Sequence, residues 1–430
     1  MTPAGTKDCI LSADWLLPVT APPISEGGVV IVDGKILAIG KGEELSRRFS
    51  PLPYRAFPGC ILMPGLINAH THLDLSLFRD RLTLPADFVS WLLELIPLRL
   101  QMDARQSGEA LRRGAGEAVL SGTTTIGDIT RSGESIPILQ KIGCRGVLFR
   151  EVIDRSVHEA SAWIEDLKEK ISAMKSEAGG KITIGISPHT PYTLSKERME
   201  ALAAFLREVP LPCTMHIAES EAERDYFLHH TGELKTRLFP AVGWGKAPDP
   251  EEFGTPLEQV RKRRLLDRRL AVIHGVHLTP QDIKHLHRAG SSVILCPRSN
   301  DNLRVGRAPI RKLLEAEIPT ALGTDSLASN RSLSLWDEMR FLRKRFPHDD
   351  LVTPERLIRM ATLGGAEALG LSNETGSIEA GKEADIIAVN CRMDEPGRLV
   401  STLIAGTTPG KIRMIMVGGE MLLESSISSS

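Results

Sequence analysis

The sequence predicts an α/β protein: a (β/α)8 barrel of the TIM type carrying a small β-sandwich domain built from both ends of the chain. Two observations carry this expectation. Between residue 60 and about residue 330, eight short apolar runs alternate with longer amphipathic stretches. On either side the pattern changes to paired strands with tight turns. The expected division is 1–58 together with 372–430 for the composite β domain, and 59–371 for the barrel.

The first flank contains Gly27-Gly28-Val29-Val30-Ile31-Val32-Asp33-Gly34-Lys35-Ile36-Leu37-Ala38-Ile39-Gly40. Two strand-forming runs meet there at an Asp-Gly pair, the composition of a tight hairpin turn. Barrel strands are expected at 60–68, 123–129, 144–151, 181–187, 212–217, 270–274, 292–296 and 320–323. Each is an apolar run of strand length. The segments between them, such as 161–176 and 196–208, carry helical periodicity and good helix formers. A doubly wound open sheet would call for a glycine-rich phosphate turn after the first strand, and Gly65 stands alone there. After the fifth strand, residues 240–250 are too rich in proline and glycine for a helix. They lie on the catalytic side of the barrel and are expected to wall the pocket or act as a lid. The second flank supplies strands in Ala384-Asp385-Ile386-Ile387-Ala388-Val389 and across 412–420, and the serine-rich tail 425–430 is expected to fray.

Composition narrows the function classes. Over 430 residues, 53 Lys plus Arg balance 54 Asp plus Glu, for a formal charge of −1. That gives no electrostatic basis for nucleic acid or an anionic membrane as partner, and leaves a small-molecule substrate. No apolar run approaches membrane-spanning length, and the start of the sequence lacks the pattern of a signal peptide. The six cysteines are scattered without CxxC spacing, and Cys60, Cys213 and Cys296 fall inside apolar runs. Buried thiols of that kind point to a reducing, cytoplasmic setting. A homo-oligomer is compatible with a barrel of this size, but the sequence marks no interface.

The chemistry concentrates at strand ends, where barrels of this kind place working residues. In Asn68-Ala69-His70-Thr71-His72, alternation sends His70 and His72 to one side as the apolar run gives out. Two converging imidazoles suit a divalent transition metal. His216, after Pro212-Cys213-Thr214-Met215, supplies a third imidazole, and Asp325 in Leu322-Gly323-Thr324-Asp325-Ser326 an oxygen ligand. Four such ligands leave a position for water, whose pKa a divalent ion lowers toward neutrality. Glu219, three residues past His216, is placed to shuttle a proton, and His274 to orient the nucleophile or polarise the attacked carbon. His277, His285 and His287 read as structural or surface residues. Asp128, Arg150, His189, Arg298, Ser299 and Asn300 also follow apolar runs at strand ends.

Taken together, Met63-Pro64-Gly65-Leu66-Ile67-Asn68-Ala69-His70-Thr71-His72, His216-Ile217-Ala218-Glu219, His274-Gly275, Leu322-Gly323-Thr324-Asp325-Ser326 and Gly376-Ser377-Ile378-Glu379-Ala380-Gly381-Lys382-Glu383-Ala384-Asp385 resemble the amidohydrolase superfamily. The resemblance is to its branch of metal-dependent deaminases and chlorohydrolases, and spans nearly the whole chain. It implies His70, His72, His216 and Asp325 as metal ligands, Glu219, His274 and Asp325 as catalytic residues, and His189 as substrate-facing. Binuclear relatives carry a carbamylated lysine at the end of strand four. Here the only lysine of that strand, Lys181, lies at its start, so one metal is expected, zinc ahead of iron. The His-x-Glu with Pro-Cys-x-x-Cys design of other zinc deaminases is absent.

Adenosine-type deaminases of this branch resemble one another in a glutamate before a tryptophan that holds the ribose hydroxyls, and here Ser90 precedes Trp91. Arg150 and Arg298 are candidates for gripping a carboxylate at the barrel mouth, with Ser299 beside the latter. The stretches 187–195 and 295–300 are similar to those of aminodeoxyfutalosine deaminases, whose substrate joins a 6-aminopurine nucleoside to a benzoate in a route to menaquinone. The expected reaction is therefore hydrolytic deamination of a 6-aminopurine nucleoside, with aminodeoxyfutalosine preferred. Alternatives are adenosine, S-adenosylhomocysteine, methylthioadenosine or guanine as substrate, or a chlorohydrolase or cyclic amidohydrolase of the same fold. A non-catalytic scaffold fits poorly, because every expected ligand is present.

Overall fold

The computed structural model describes residues 8–82, 87–157, 159–246, 248–250, 252–391 and 396–424. At its centre, eight parallel strands pair in sequence order: Leu66–Thr71, Thr123–Thr130, Arg145–Val152, Ile182–Pro188, Cys213–Ile217, Leu270–His274, Ser292–Leu295 and Thr320–Leu322. The last strand is drawn against the first by a bridge between Thr71 and Asp325. Asn68 adds two side-chain hydrogen bonds there, donating to Thr324 Oγ1 (2.8 Å) and accepting from the Thr324 amide (3.1 Å). The result is a nearly closed barrel, as the alternation of short apolar runs and helices predicts.

Period-two alternation divides each strand between two environments. Val147 and Phe149 join Ala271, Ile273, Ile294 and Cys296 in a cluster that fills the barrel interior. Their neighbours Leu148, Ile184, Ile186, Val272 and Val293 pack outward against the helices. The helix Lys196–Glu208 shows the matching stripe: Met199, Leu202, Ala203 and Leu206 are buried, and the Ser195 side chain caps its first turn.

Both ends of the chain combine in a second, mixed sheet. Its order is Glu420–Glu424, Ile412–Val417, Ile386–Asn390, Tyr54–Pro64, Cys9–Leu16, Gly27–Val32, Lys35–Lys41, with Ile24–Ser25 beside Cys9–Leu16. Asp33 and Gly34 both adopt positive φ (50° and 79°), which gives the expected hairpin turn. Arg145, at the start of the third barrel strand, ties the sheet to the barrel: its guanidinium bonds the buried Asp385 at 2.8 and 3.3 Å. The tail 425–430 lies outside the described residues. Among the described residues, no helix is long and apolar enough to cross a membrane.

One expected element divides. The run 60–68 is not a single barrel strand: Tyr54–Pro64 pairs in the mixed sheet with Cys9–Leu16 and Ile386–Asn390, and only Leu66–Thr71 enters the barrel. The switch falls at Gly65. A Cβ there would lie 2.0 Å from Thr124 Oγ1, so only glycine lets the chain cross this close to the second strand.

Candidate active site

The carboxyl end of the barrel gathers the expected polar residues in one place. The rings of His70 and His72 lie 4.9 Å apart, and that of His216 lies 4.9 Å from His70. His72 Nε2 faces His216 Nε2 at 3.4 Å. Asp325 Oδ1 is 3.5 Å from His70 Nε2 and 3.8 Å from His72 Nε2. His274 completes the group, its ring 5.5 Å from that of His216. In this packing, His70, His72 and Asp325 form one set of converging donor atoms and His70, His216 and His274 another, each within 4.8 Å.

Local structure holds these side chains in place at some conformational cost. Ala218, His274 and Asp325 all take positive φ (56°, 68° and 58°), where a non-glycine residue is strained. All three sit at or within three residues of the ends of the strands that deliver the site. Pairing between the first two strands shifts register between Asn68 and Thr71. Asp128 then clamps the residues flanking His72: its Oδ1 accepts from Thr71 Oγ1 (3.0 Å) and from the Leu73 amide (2.9 Å).

Hydrogen bonds also set the tautomers. His216 Nδ1 donates to the His189 carbonyl (2.9 Å), which leaves Nε2 with its lone pair toward the cluster. His274 Nδ1 donates to Asn300 Oδ1 (2.8 Å), and its Nε2 faces Glu219 Oε1 at 3.4 Å. Asp325 Oδ2 accepts from both Ser299 and Ser329 hydroxyls at 2.6 Å, turning Oδ1 to the imidazoles. Glu219 is held by its amide, which donates to Glu223 Oε2 (2.8 Å).

Burial dominates the electrostatics. It pushes His70 down to about 4 and His72 well below the ordinary histidine value, so both imidazoles are neutral. Burial alone would raise the Asp325 carboxyl, but the His70 imidazole 3.5 Å away and the other imidazoles around it hold it well below the usual range. Burial pushes Glu219 up to about 8, and the nearby Asp325 adds to the rise. Three neutral imidazoles and an ionised carboxylate form a donor set that fits a divalent transition metal. His70 Nε2 points the same way: it is buried and has no hydrogen-bond partner among the described residues.

Beside this cluster lies a cavity open to solvent, with about 870 Å3 of space in it and at its mouth. Its lining combines His72, His189, His216, Glu219, His274 and Asp325 with apolar residues: Trp91, Leu92, Leu95 and Ile96 from the helix Phe88–Leu100, and Leu238, Val242 and Trp244 beyond the fifth strand. His189 also lines the cavity; its buried Nδ1 makes no hydrogen bond among the described residues, and burial pushes its pKa down to about 3.

Three expected substrate contacts are not brought to the cavity. Arg150 falls on the outer face of its strand with Leu148, and its Nη1 donates to the Glu151 carbonyl (2.7 Å). The Arg298 side chain turns to Ser332 Oγ (2.9 Å) and its amide to Glu338 (3.0 Å). Ser299 stands behind Asp325 and supports that carboxylate. Ser90 is also engaged elsewhere, with Asp87 and Arg237.

Two residues that sequence reasoning passed over take part. Arg99 lines the cavity while its guanidinium pairs with Asp74 (2.9 Å) and Glu151 (3.3 Å). Its position was legible as the end of the stripe Leu92, Leu95, Ile96, Arg99 along one helix face. Glu223, fully buried, anchors the Glu219 amide, and only its spacing of four residues from Glu219 hints at this.

Comparison with known proteins agrees with this geometry. The sequence model of the amidohydrolase family matches residues 61–422. A 5-methylthioadenosine/S-adenosylhomocysteine deaminase from Caldanaerobacter subterraneus subsp. tengcongensis is 30% identical, over 85% of this chain and 81% of that one. An aminodeoxyfutalosine deaminase from Deinococcus radiodurans is also 30% identical, over 84% and 85%. Among solved structures, an adenosine deaminase from Xanthomonas campestris with bound zinc superposes with a TM-score of 0.84. It is 25% identical, and the match covers 97% of this chain and 93% of that one.

Proposed function

This chain belongs to the amidohydrolase family, and on that premise we propose that it is a metal-dependent aminohydrolase that converts a 6-aminopurine nucleoside and water to the 6-oxo nucleoside and ammonia. One observation carries the reading: His70, His72, His216 and Asp325 cluster together, and His72, His216, Asp325 and the Glu219–His274 pair line a single cavity whose remaining lining is largely apolar. The deaminase names of the two relatives support the choice of leaving group.

In this reading His70, His72, His216 and Asp325 would hold one divalent ion, which would supply a water of lowered pKa as the nucleophile. Glu219 takes one proton of the attacking water at a carboxylate oxygen and delivers it to the ring nitrogen. It then takes the second proton from the added hydroxyl and delivers it to the amino group, which leaves as ammonia while the carbon keeps the oxygen as the 6-oxo group. His274, with Nδ1 committed to Asn300, offers Nε2 to the oxygen added at the attacked carbon. Ser299 and Ser329 keep the Asp325 carboxylate oriented, and Leu92, Ile96, Val242 and Trp244 take the sugar-side substituent out of water.

The same wall bears on the substrate. The preference for aminodeoxyfutalosine rests on the similarity of 187–195 and 295–300 and on two carboxylate-gripping arginines; those arginines lie off the cavity, and Arg99, which does line it, is matched against two carboxylates. A nucleoside with an uncharged, apolar 5′ substituent, such as 5′-methylthioadenosine, suits the wall better. The aminodeoxyfutalosine relative keeps that nucleoside as the second candidate. The test is ammonia release by metal-analysed protein from 5′-methylthioadenosine, aminodeoxyfutalosine, S-adenosylhomocysteine, adenosine, guanine and a chlorotriazine. Preference for methylthioadenosine is expected. Turnover of none of the purines would refute the reading.

A further inference from the structure

Arg155 lies four residues past Glu151 on the loop that leaves the third barrel strand, and its guanidinium makes contacts on two sides. Toward the barrel, Nη1 donates to the Tyr192 carbonyl (2.8 Å) and Nη2 to the Tyr226 hydroxyl (3.2 Å). Toward the segment after the fifth strand, Nη2 donates to the Pro248 carbonyl (3.0 Å). The same group stacks over the Phe239 ring at 4.5 Å and stands 5.9 Å from the ring centres of Trp244 and Tyr226. Among the described residues no carboxylate pairs with it, so its whole interaction is with carbonyls, a hydroxyl and aromatic faces.

We infer that Arg155 is the positioning residue that seats residues 238–246 and Pro248 over the barrel mouth, and thereby sets the shape of the compartment for the 5′ substituent. The segment is short of regular structure, and Arg155 gives it a polar link to the third-strand loop: the helix Phe239–Ala241 only continues the π-helical turn Leu234–Leu238, backbone bonds from Val242 and Trp244 close it on Leu238 and Phe239, and Lys235 pairs with Asp249 beyond it. Yet it contributes Leu238, Val242 and Trp244 to the cavity wall. A planar guanidinium satisfies three acceptors and covers rings at once, whereas a lysine ammonium at that site has the charge without the fork. Phe239 links the two sides, since its ring packs 5.0 Å from Tyr226 and 6.4 Å from Tyr192, which itself lines the cavity.

The specificity part rests on the deaminase reading, and the seating part does not. Arg155→Ala and Arg155→Lys are compared with the parent protein in two assays. In the first, KM and kcat are measured for 5′-methylthioadenosine and adenosine. Arg155→Ala is expected to raise KM for methylthioadenosine roughly tenfold while the adenosine constants and kcat change little, with lysine restoring only part. A kcat loss shared by both nucleosides, or an unchanged ratio between them, overturns the specificity role. In the second, tryptic cleavage after the exposed Lys246 is timed on folded protein of verified melting temperature. Cleavage faster by about tenfold in Arg155→Ala is expected. An unchanged rate overturns the seating role, whatever the substrate proves to be. Failure of the parent protein to deaminate either nucleoside would count against the deaminase reading, and the cleavage assay would still decide the seating.

Discussion

Replacing Glu223 by alanine should slow the reaction without removing the metal. Glu223 touches none of the donor atoms. Its Oε2 accepts the Glu219 amide at 2.8 Å, while burial pushes its own carboxyl up to about 8. That hydrogen bond steadies the residue after Ala218, whose φ of 56° is strained. Leaving a buried amide without a partner costs about 1–3 kcal/mol. If that cost falls on the placement of Glu219 in the transition state, kcat drops about 5- to 150-fold. KM and metal content should stay near parental values, because His70, His72, His216 and Asp325 are untouched. Glu223→Gln keeps an acceptor oxygen and should lose less than about fivefold. The assay is ammonia release under saturating nucleoside, with metal content measured on the same samples. Parental kcat in Glu223→Ala would show that the Glu219 backbone needs no such support. Loss of metal along with activity would place Glu223 in the metal site instead.

Other perturbations test neighbouring parts of the site. His72→Ala should lose bound metal and activity together, and an active variant without metal would remove His72 from the ligand set. Glu219→Gln should retain metal while turnover falls about 100-fold or more, as expected for a lost proton shuttle; near-parental turnover would move that role elsewhere. Arg150→Ala should leave KM unchanged for both aminodeoxyfutalosine and methylthioadenosine, because the side chain faces the helix layer. A KM increase confined to the carboxylated substrate would contradict that placement.

Much of this protein is legible in its sequence. Eight apolar runs marked eight barrel strands because a strand buried on both faces must be apolar along its length, and such runs survive in any context. The set proposed to bind the metal is legible for a related reason. Histidine and aspartate directly past an apolar run have few structural roles there, and the carboxyl end of a barrel brings all such ends together. Gly65 was visible as a lone glycine, but its role was not, since the clash it avoids involves Thr124, far along the chain. The arginines show the limit most clearly. Arg150 and Arg298 ended the right strands, yet the side-chain direction of each depends on strand parity and on acceptors supplied by other elements. Arg99 reaches the cavity along a helix face that its stripe already marks, whereas Arg155 reaches the rim through a loop whose packing no local pattern encodes. Residue type and spacing determined which chemistry this chain supports; only the tertiary structure decided which polar side chains face the substrate, because facing is a relation between distant segments and not a property of one.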